Sequence, residues 1–198
     1  MISLNFNEND FNEKAKEFRE ISEKLNDTWE LNEKMGKIYL VKKQKISIQN
    51  KKEQEVEFGE IVIDDASAVN SIPETIYSIE YHVVFHPSYQ VPVLYFNAHS
   101  DDGRFVNFDD VSKIFVEDYE LKQYKDEIYQ IISQADHPIL FKPFYMIHPC
   151  HIHEVLSKFP ESKNFILTFL TIYGPSVRLK MLEGYEKFYM EKEVMANI

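Results

Sequence analysis

Four of the seven histidines and the sole cysteine of this sequence lie in one stretch, His137-Pro-Ile-Leu-Phe-Lys-Pro-Phe-Tyr-Met-Ile-His148-Pro-Cys150-His151-Ile-His153. A thiol set among imidazoles supports two chemistries. The first is nucleophilic: the thiolate is the attacking form, a nearby imidazolium or a helix start favours it, and it takes up acyl groups as thioesters. The second is metal binding, because His148, Cys150, His151 and His153 carry nitrogen and sulfur donors that zinc takes tetrahedrally. Their spacing disfavours the metal, since one short segment stiffened by Pro149 does not readily wrap a single ion. A lone cysteine commonly serves as a small buried hydrophobe. Here the proline before it and the histidine after it put Cys150 at a turn at the end of a strand, not inside one. A cysteine hydrolase would also need a base held against the thiol and oriented by a third group. No protease-type signature surrounds Cys150, and the sequence leaves open whether His82, His86 or His99 approaches it.

The elements that must position this turn follow from hydrophobic periodicity. Phe11, Ala15, Phe18, Ile21, Ser22 and Leu25 share a helical face, with Asn7 or Asn9 available as the N-cap. Trp29 and Leu31 precede Lys37–Lys42 and Lys45–Gln49, one long strand or two short ones. A further strand is expected over Glu55–Ile63, with a bulge at Gly59, and a loop over Asp64–Ser71. Tyr77, Ile79, Tyr81, Val83 and Phe85 alternate with His82 and His86, which predicts a half-buried strand. Pro87-Ser-Tyr-Gln90 closes a hairpin and Val91–Ala98 returns antiparallel. A short helix is predicted over Phe108–Phe115, and a second from Leu121, Tyr124, Ile128, Ile131, Ile132 and Ala135. The apolar run Ile139–Ile147 predicts a buried strand that delivers Cys150 at a sheet edge. After it come a helical turn from His153, stopped at Pro160, and a buried helix over Asn164–Tyr173 that ends at Gly174-Pro175. These elements make an α+β fold, an antiparallel sheet with helices on one face.

The 198 residues suit one domain, and the polar residues from 183 to 198 suit an exposed helix or a flexible tail. A 44% hydrophobic content with 15 Phe and 12 Tyr describes a folded chain. A net charge of −11 argues against nucleic acid, whose binding rests on clustered Lys and Arg. One cysteine precludes an internal disulfide, the first residues lack a signal peptide's basic and apolar regions, and no run reaches a membrane span. A cytoplasmic protein without stable membrane insertion is expected, with a thiol kept reduced.

His148-Pro-Cys150, preceded by His137-Pro-Ile-Leu and by the strands Glu80-Tyr-His-Val-Val and Tyr89-Gln-Val-Pro-Val-Leu-Tyr-Phe96, and followed by Tyr173-Gly-Pro175, resembles the autophagy-related protein ten family. The similarity runs from about Trp29 to Leu182. The resemblance implies a ubiquitin-conjugating-type core without the usual C-terminal helices. It implies that Cys150 accepts autophagy-related protein twelve as a thioester from the activating enzyme, autophagy-related protein seven, and passes it to a lysine of autophagy-related protein five. No cofactor and no metal is implied. Tyr89 matches a family tyrosine near the cysteine. His148 stands where a polar side chain can replace the asparagine that ordinary conjugating enzymes carry in His-Pro-Asn, and with Tyr89 and backbone amides it is a candidate oxyanion donor.

The sibling lipid-conjugating enzyme, autophagy-related protein three, shares His-Pro-Cys but carries a large acidic insertion that has no counterpart between Val91 and Cys150. Exposed strand edges in residues 37 to 63 are the expected site for the acceptor. His151 and His153 are expected in an exposed loop.

Overall fold

The computed structural model describes residues 6–49, 74–116 and 131–189. Helix α1 spans Glu8–Lys24, and Asn7 caps it by accepting the Asp10 amide at 2.9 Å. Its buried stripe is Phe11, Ala15, Phe18 and Ser22, as the spacing predicts. Six strands follow: β1 Glu30–Lys34, β2 Lys37–Gln49, β3 Glu74–His86, β4 Val91–Ser100, β5 Ile132–Asp136 and β6 Pro143–Ile147. They form one antiparallel sheet in the order β1-β2-β3-β4-β6-β5. Helix α2, Phe108–Val116, precedes β5; helices α3, Ile152–Leu156, and α4, Phe165–Tyr173, follow β6.

Because register places Leu40, Val83 and Leu94 side by side, alternate residues of β2, β3 and β4 build one largely apolar face, interrupted in β2 by Lys42 and Gln44. The helices cover that face. Phe11 meets Phe85 at 5.9 Å between ring centres, and α2 sets Phe115 edge-on to Phe96 at 5.2 Å. The α4 residues Ile166, Leu167, Phe169 and Leu170 are buried. Asn164 caps α4 through the Ile166 and Leu167 amides and donates its own amide to the Lys14 carbonyl at 2.8 Å, which docks α4 on α1. Such elements, helices on one face of an antiparallel sheet, are α+β.

Several expectations are corrected. Leu31 belongs to an additional strand, β1, joined to β2 by the two-residue turn Met35-Gly36, whose φ angles of 54° and 73° suit a twisted hairpin. The strand expected over Ile139–Ile147 begins only at Pro143. Residues 138–140 turn, and Phe141 takes a left-handed φ of 54°. Ile132–Asp136, expected at the end of a helix, is β5, so the strand that leads to Cys150 has neighbours on both sides and is not a sheet edge. The rest of that expected helix, Leu121–Ile128, lies outside the described residues, as do the strand expected over Glu55–Ile63 and the loop expected over Asp64–Ser71.

His82, on the face opposite the tyrosines, is 2% exposed and not solvated. Helix α4 stops without a left-handed glycine: Gly174 stays right-handed at φ −55°, the chain tightens into the 3-10 turn Gly174–Val177, and Arg178 takes the left-handed position. The Tyr81 hydroxyl donates to the Val177 carbonyl at 2.7 Å and fastens that turn to the sheet centre. Of the tail expected over residues 183–198, the part up to Tyr189 packs on the core through Tyr185, Phe188 and Tyr189, and residues 190–198 lie outside the described residues. Tyr185 stacks on Phe18 at 5.5 Å and donates to Asp27 Oδ2 at 2.9 Å, beside the buried ion pair of Asp27 with Lys42.

Candidate active site

Cys150 sits in the 3-10 turn Pro149–His151 between β6 and α3, and it is exposed. The turn follows from the sequence locally. Pro149 forces His148 into an extended conformation, φ −62° and ψ 125°, and fits the first helical position itself. His148 then caps the turn. Its backbone amide donates to the Ile131 carbonyl at 2.6 Å, and its Nδ1 accepts the Cys150 amide at 3.3 Å. With Nδ1 occupied as an acceptor, the proton of neutral His148 resides on Nε2, which makes that nitrogen a donor.

Tyr89 reaches the same place from the hairpin between β3 and β4. Its ring lies edge-on to His148 at 5.9 Å and to His86 at 4.9 Å, and its backbone amide donates to His86 Nδ1 at 3.4 Å. Burial pushes the affinity of His86 for a proton below the ordinary histidine value, so this acceptor nitrogen persists at neutral pH. Tyr89 itself is 43% exposed. The structure thus brings together the three residues singled out in the sequence, Cys150, His148 and Tyr89.

Sequence reasoning missed Tyr173, the last residue of α4. Burial raises its hydroxyl pKa above the ordinary tyrosine value, and negative charge on Cys150 and on Glu154 raises it further. It therefore lies within electrostatic reach of the sulfur and stays protonated, a donor and not a base. A tyrosine at a helix end carries no signal in sequence that would reveal this proximity. Sequence reasoning also left His86 without a role. Its spacing, three residues before Tyr89 across a hairpin turn, is the signal that was available.

The histidines that suggested zinc point apart. His148 faces the Cys150 amide and Tyr89, exposed His151 lies 3.9 Å from Glu154, and His153 sets its ring against Phe6 at 5.7 Å. Glu154 is shared with Lys158 at 3.0 Å, and that cation foremost holds the carboxyl below the ordinary range. Among the described residues no group of three or more His, Cys, Asp or Glu side chains is arranged to hold a metal ion. No helix among them is long and apolar enough to cross a membrane.

An exposed thiol on a turn capped by an imidazole, with the Tyr89 ring against that imidazole, is chemically able to form an acyl thioester. The chain is similar to several known proteins. The family described as "Autophagocytosis associated protein, active-site domain" matches residues 10–183. The chain is 33% identical over 142 residues to the human protein named "Ubiquitin-like-conjugating enzyme ATG10", covering 68% of this chain and 64% of the human one. It is 23% identical over 132 residues to the Arabidopsis thaliana protein of that name, covering 62% and 58%. For the Dictyostelium discoideum protein of that name the identity is 28% over 119 residues, covering 52% and 51%. The chain thus spans less than two thirds of the length of these curated relatives. With the family match reaching from α1 to beyond α4, the chain belongs to the autophagocytosis-associated active-site domain family.

Proposed function

We propose that this chain is a cytoplasmic ubiquitin-like-protein conjugating enzyme of autophagy, with Cys150 as its acyl carrier. In the first step the Cys150 thiolate attacks the thioester carbonyl of autophagy-related protein twelve held on the activating enzyme, autophagy-related protein seven. A new thioester forms on Cys150 and the activating enzyme's cysteine leaves as thiolate. In the second step a neutral lysine amine of autophagy-related protein five attacks that thioester. An isopeptide bond forms, the Cys150 thiolate leaves, and the amine's proton passes to solvent.

Each step puts negative charge on the carbonyl oxygen. Tyr89 Oη–H and His148 Nε2–H are the donors that would meet it, since the Cys150 amide is already given to His148. Losing one such donor typically costs about a hundredfold in rate. The observation that carries this reading is the exposed Cys150 on the His148-capped turn with Tyr89 against the cap. The acceptor would meet the Lys43–Gln49 half of β2, because β1 covers only Lys37–Val41 and no described strand lies on that side beyond it.

A single-turnover charging assay with the activating enzyme, ATP and the ubiquitin-like partner tests the reading on non-reducing gels. The wild type should give a thiol-sensitive adduct, and Cys150→Ser a thiol-resistant ester or none. A thiol-sensitive adduct on Cys150→Ser, or no adduct on the wild type, would overturn it.

A further inference from the structure

One cluster of titratable side chains lies on the sheet face opposite the helices, buried His82 and His137 leading to half-buried Glu80. The amides of Ile139 and Leu140 donate to His137 Nδ1 at 3.2 and 3.1 Å, so that nitrogen carries no proton. The proton of neutral His137 is then on Nε2, 3.0 Å from His82 Nδ1, and His82 in turn directs its Nε2–H to Glu80 Oε1 at 2.8 Å. The hydrogen bonds run one way, from the turn between β5 and β6 through two imidazoles to a carboxylate on β3. Both imidazoles pack against Phe144 of β6, His82 at 5.0 Å and His137 at 5.1 Å.

We propose that Glu80, His82 and His137 are positioning residues that help set the register of β6 on the sheet, through their hydrogen-bonded chain and the Phe144 ring packed against both imidazoles, and thereby fix the place of Cys150. The functional part of this rests on the reading of Cys150 as acyl carrier. The ladder itself defines the register poorly. β4 and β6 are paired only at Tyr95↔Met146 and Phe96↔Tyr145. Apolar alternation cannot choose it either, because Phe144, Tyr145, Met146 and Ile147 are all buried and both faces of β6 are apolar. A slip of one residue would move Cys150 by about 3.3 Å and swap Phe144 with Tyr145 between faces. Directed groups distinguish the two arrangements: the Asn97 side-chain amide of β4 donates to the Pro143 carbonyl at 3.2 Å, the Tyr145 hydroxyl donates to the Val106 carbonyl at 3.2 Å on the helix-covered face, and the imidazole pair acts on the opposite face. The imidazole pair accepts Phe144 on its own face, and Tyr95, the β4 partner of Met146, closes on His137 at 5.1 Å.

Because Cys150 is the sole cysteine, the full-length chain takes a single trifluoromethyl label there, read by fluorine NMR well below each variant's unfolding temperature. The wild type should give one narrow resonance. His137→Asn keeps an acceptor for the two turn amides but does not reach His82, and His82→Leu cuts the middle link; both should give a broadened or second resonance. His82→Gln, which keeps an acceptor toward His137 and a donor toward Glu80, should restore the single line. Phe144→Leu leaves β6 apolar but gives the imidazoles no ring to hold; it serves should either severed variant fail to fold, with the same broadening expected.

Unlabelled, the severed variants should charge normally and discharge at about a tenth of the wild-type rate, the penalty of a misplaced reacting group. A wild-type fluorine line in the severed variants that fold and in Phe144→Leu would overturn the proposal, even if their unfolding midpoints fall. The fluorine readout needs no partner, so failure of the acyl-carrier reading would appear separately, as absent charging on an unlabelled wild type.

Discussion

The two hairpins that meet at the site are anchored differently. The β3–β4 hairpin, which carries Tyr89, is a continuous ladder from Tyr77↔Ser100 to His86↔Val91. The β5–β6 hairpin, which carries Cys150, joins the rest of the sheet at two residue pairs and is otherwise held by side chains. Backbone hydrogen bonds place the first half of the site, and their geometry survives most changes of side chain. Particular side chains, Asn97, Tyr145, Phe144 and the two imidazoles, place the second half, and their geometry does not. Damage to the first half should therefore appear as lost stability, and damage to the second as misplaced chemistry in a folded protein.

The largest expected effect tests the ladder half. Leu94→Ala in β4 empties a fully buried position on the helix-covered face and should cost about 2–5 kcal/mol in urea unfolding. Transfer per folded molecule should stay near the wild-type value, because the ladder around it keeps Tyr89 in place. A variant that remains folded yet transfers tenfold more slowly would break the comparison.

Next in size is a pH effect confined to the side-chain-anchored half. Burial foremost, then the His82 charge, pushes His137 down to about 3 from the ordinary 6.5, with an opposing pull from Glu80 and a lesser push from Lys34. Between those values the unfolded chain takes a proton that the fold refuses, so stability falls as pH falls from 6.5 toward 3. Glu80, hydrogen-bonded foremost to His82, is held down to about 2 from 4.5 and adds a loss of the same sign below 4.5. Half-buried His86, on the other hairpin, shifts in the same direction and contributes to wild type and variant alike. Urea titrations at successive pH values should give a wild-type slope steeper than that of His137→Asn by up to about 1.4 kcal/mol per pH unit. Equal slopes would mean that His137 is protonated in the fold.

How far the site was legible in sequence follows the same division. Helix α1 and the β3–β4 hairpin announce themselves because Phe11, Ala15 and Phe18 keep a helical period, and Tyr77 to Phe85 a period of two. The turn at Cys150 was legible because Pro149 restricts its neighbour's backbone. The β5–β6 hairpin was not. Ile131, Ile132 and Ala135 fit helical spacing as well as a strand's, and only pairing with β6 decides between them. Ile139, apolar enough to extend β6, is instead buried in a chain reversal fixed by amides donated to His137. His82 alternates with tyrosines, which places it on the opposite face of β3 and assigns it no role. Nothing local reveals that the turn carrying His137, 55 residues later, closes over it.

The smallest expected effect sharpens the comparison at the one point where the ladder half relies on a side chain. Beyond His86↔Val91 the backbone pairing ends, and Gln90 adopts a left-handed φ of 54° to close the turn. There the Tyr89 amide has the His86 ring as acceptor. Removing one such neutral bond typically costs about 0.5–1.5 kcal/mol. His86→Ala should lose about that much in urea unfolding and slow discharge of the thioester by several-fold, because the Tyr89 ring loses the surface that turns it toward His148. His86→Asn places an oxygen near the position of Nδ1 and should recover most of the stability. It offers no ring for Tyr89 to pack against, so discharge should recover only in part. If discharge instead recovers in full, the backbone alone orients Tyr89, and the contrast between the two hairpins is sharper than the ring contacts suggest.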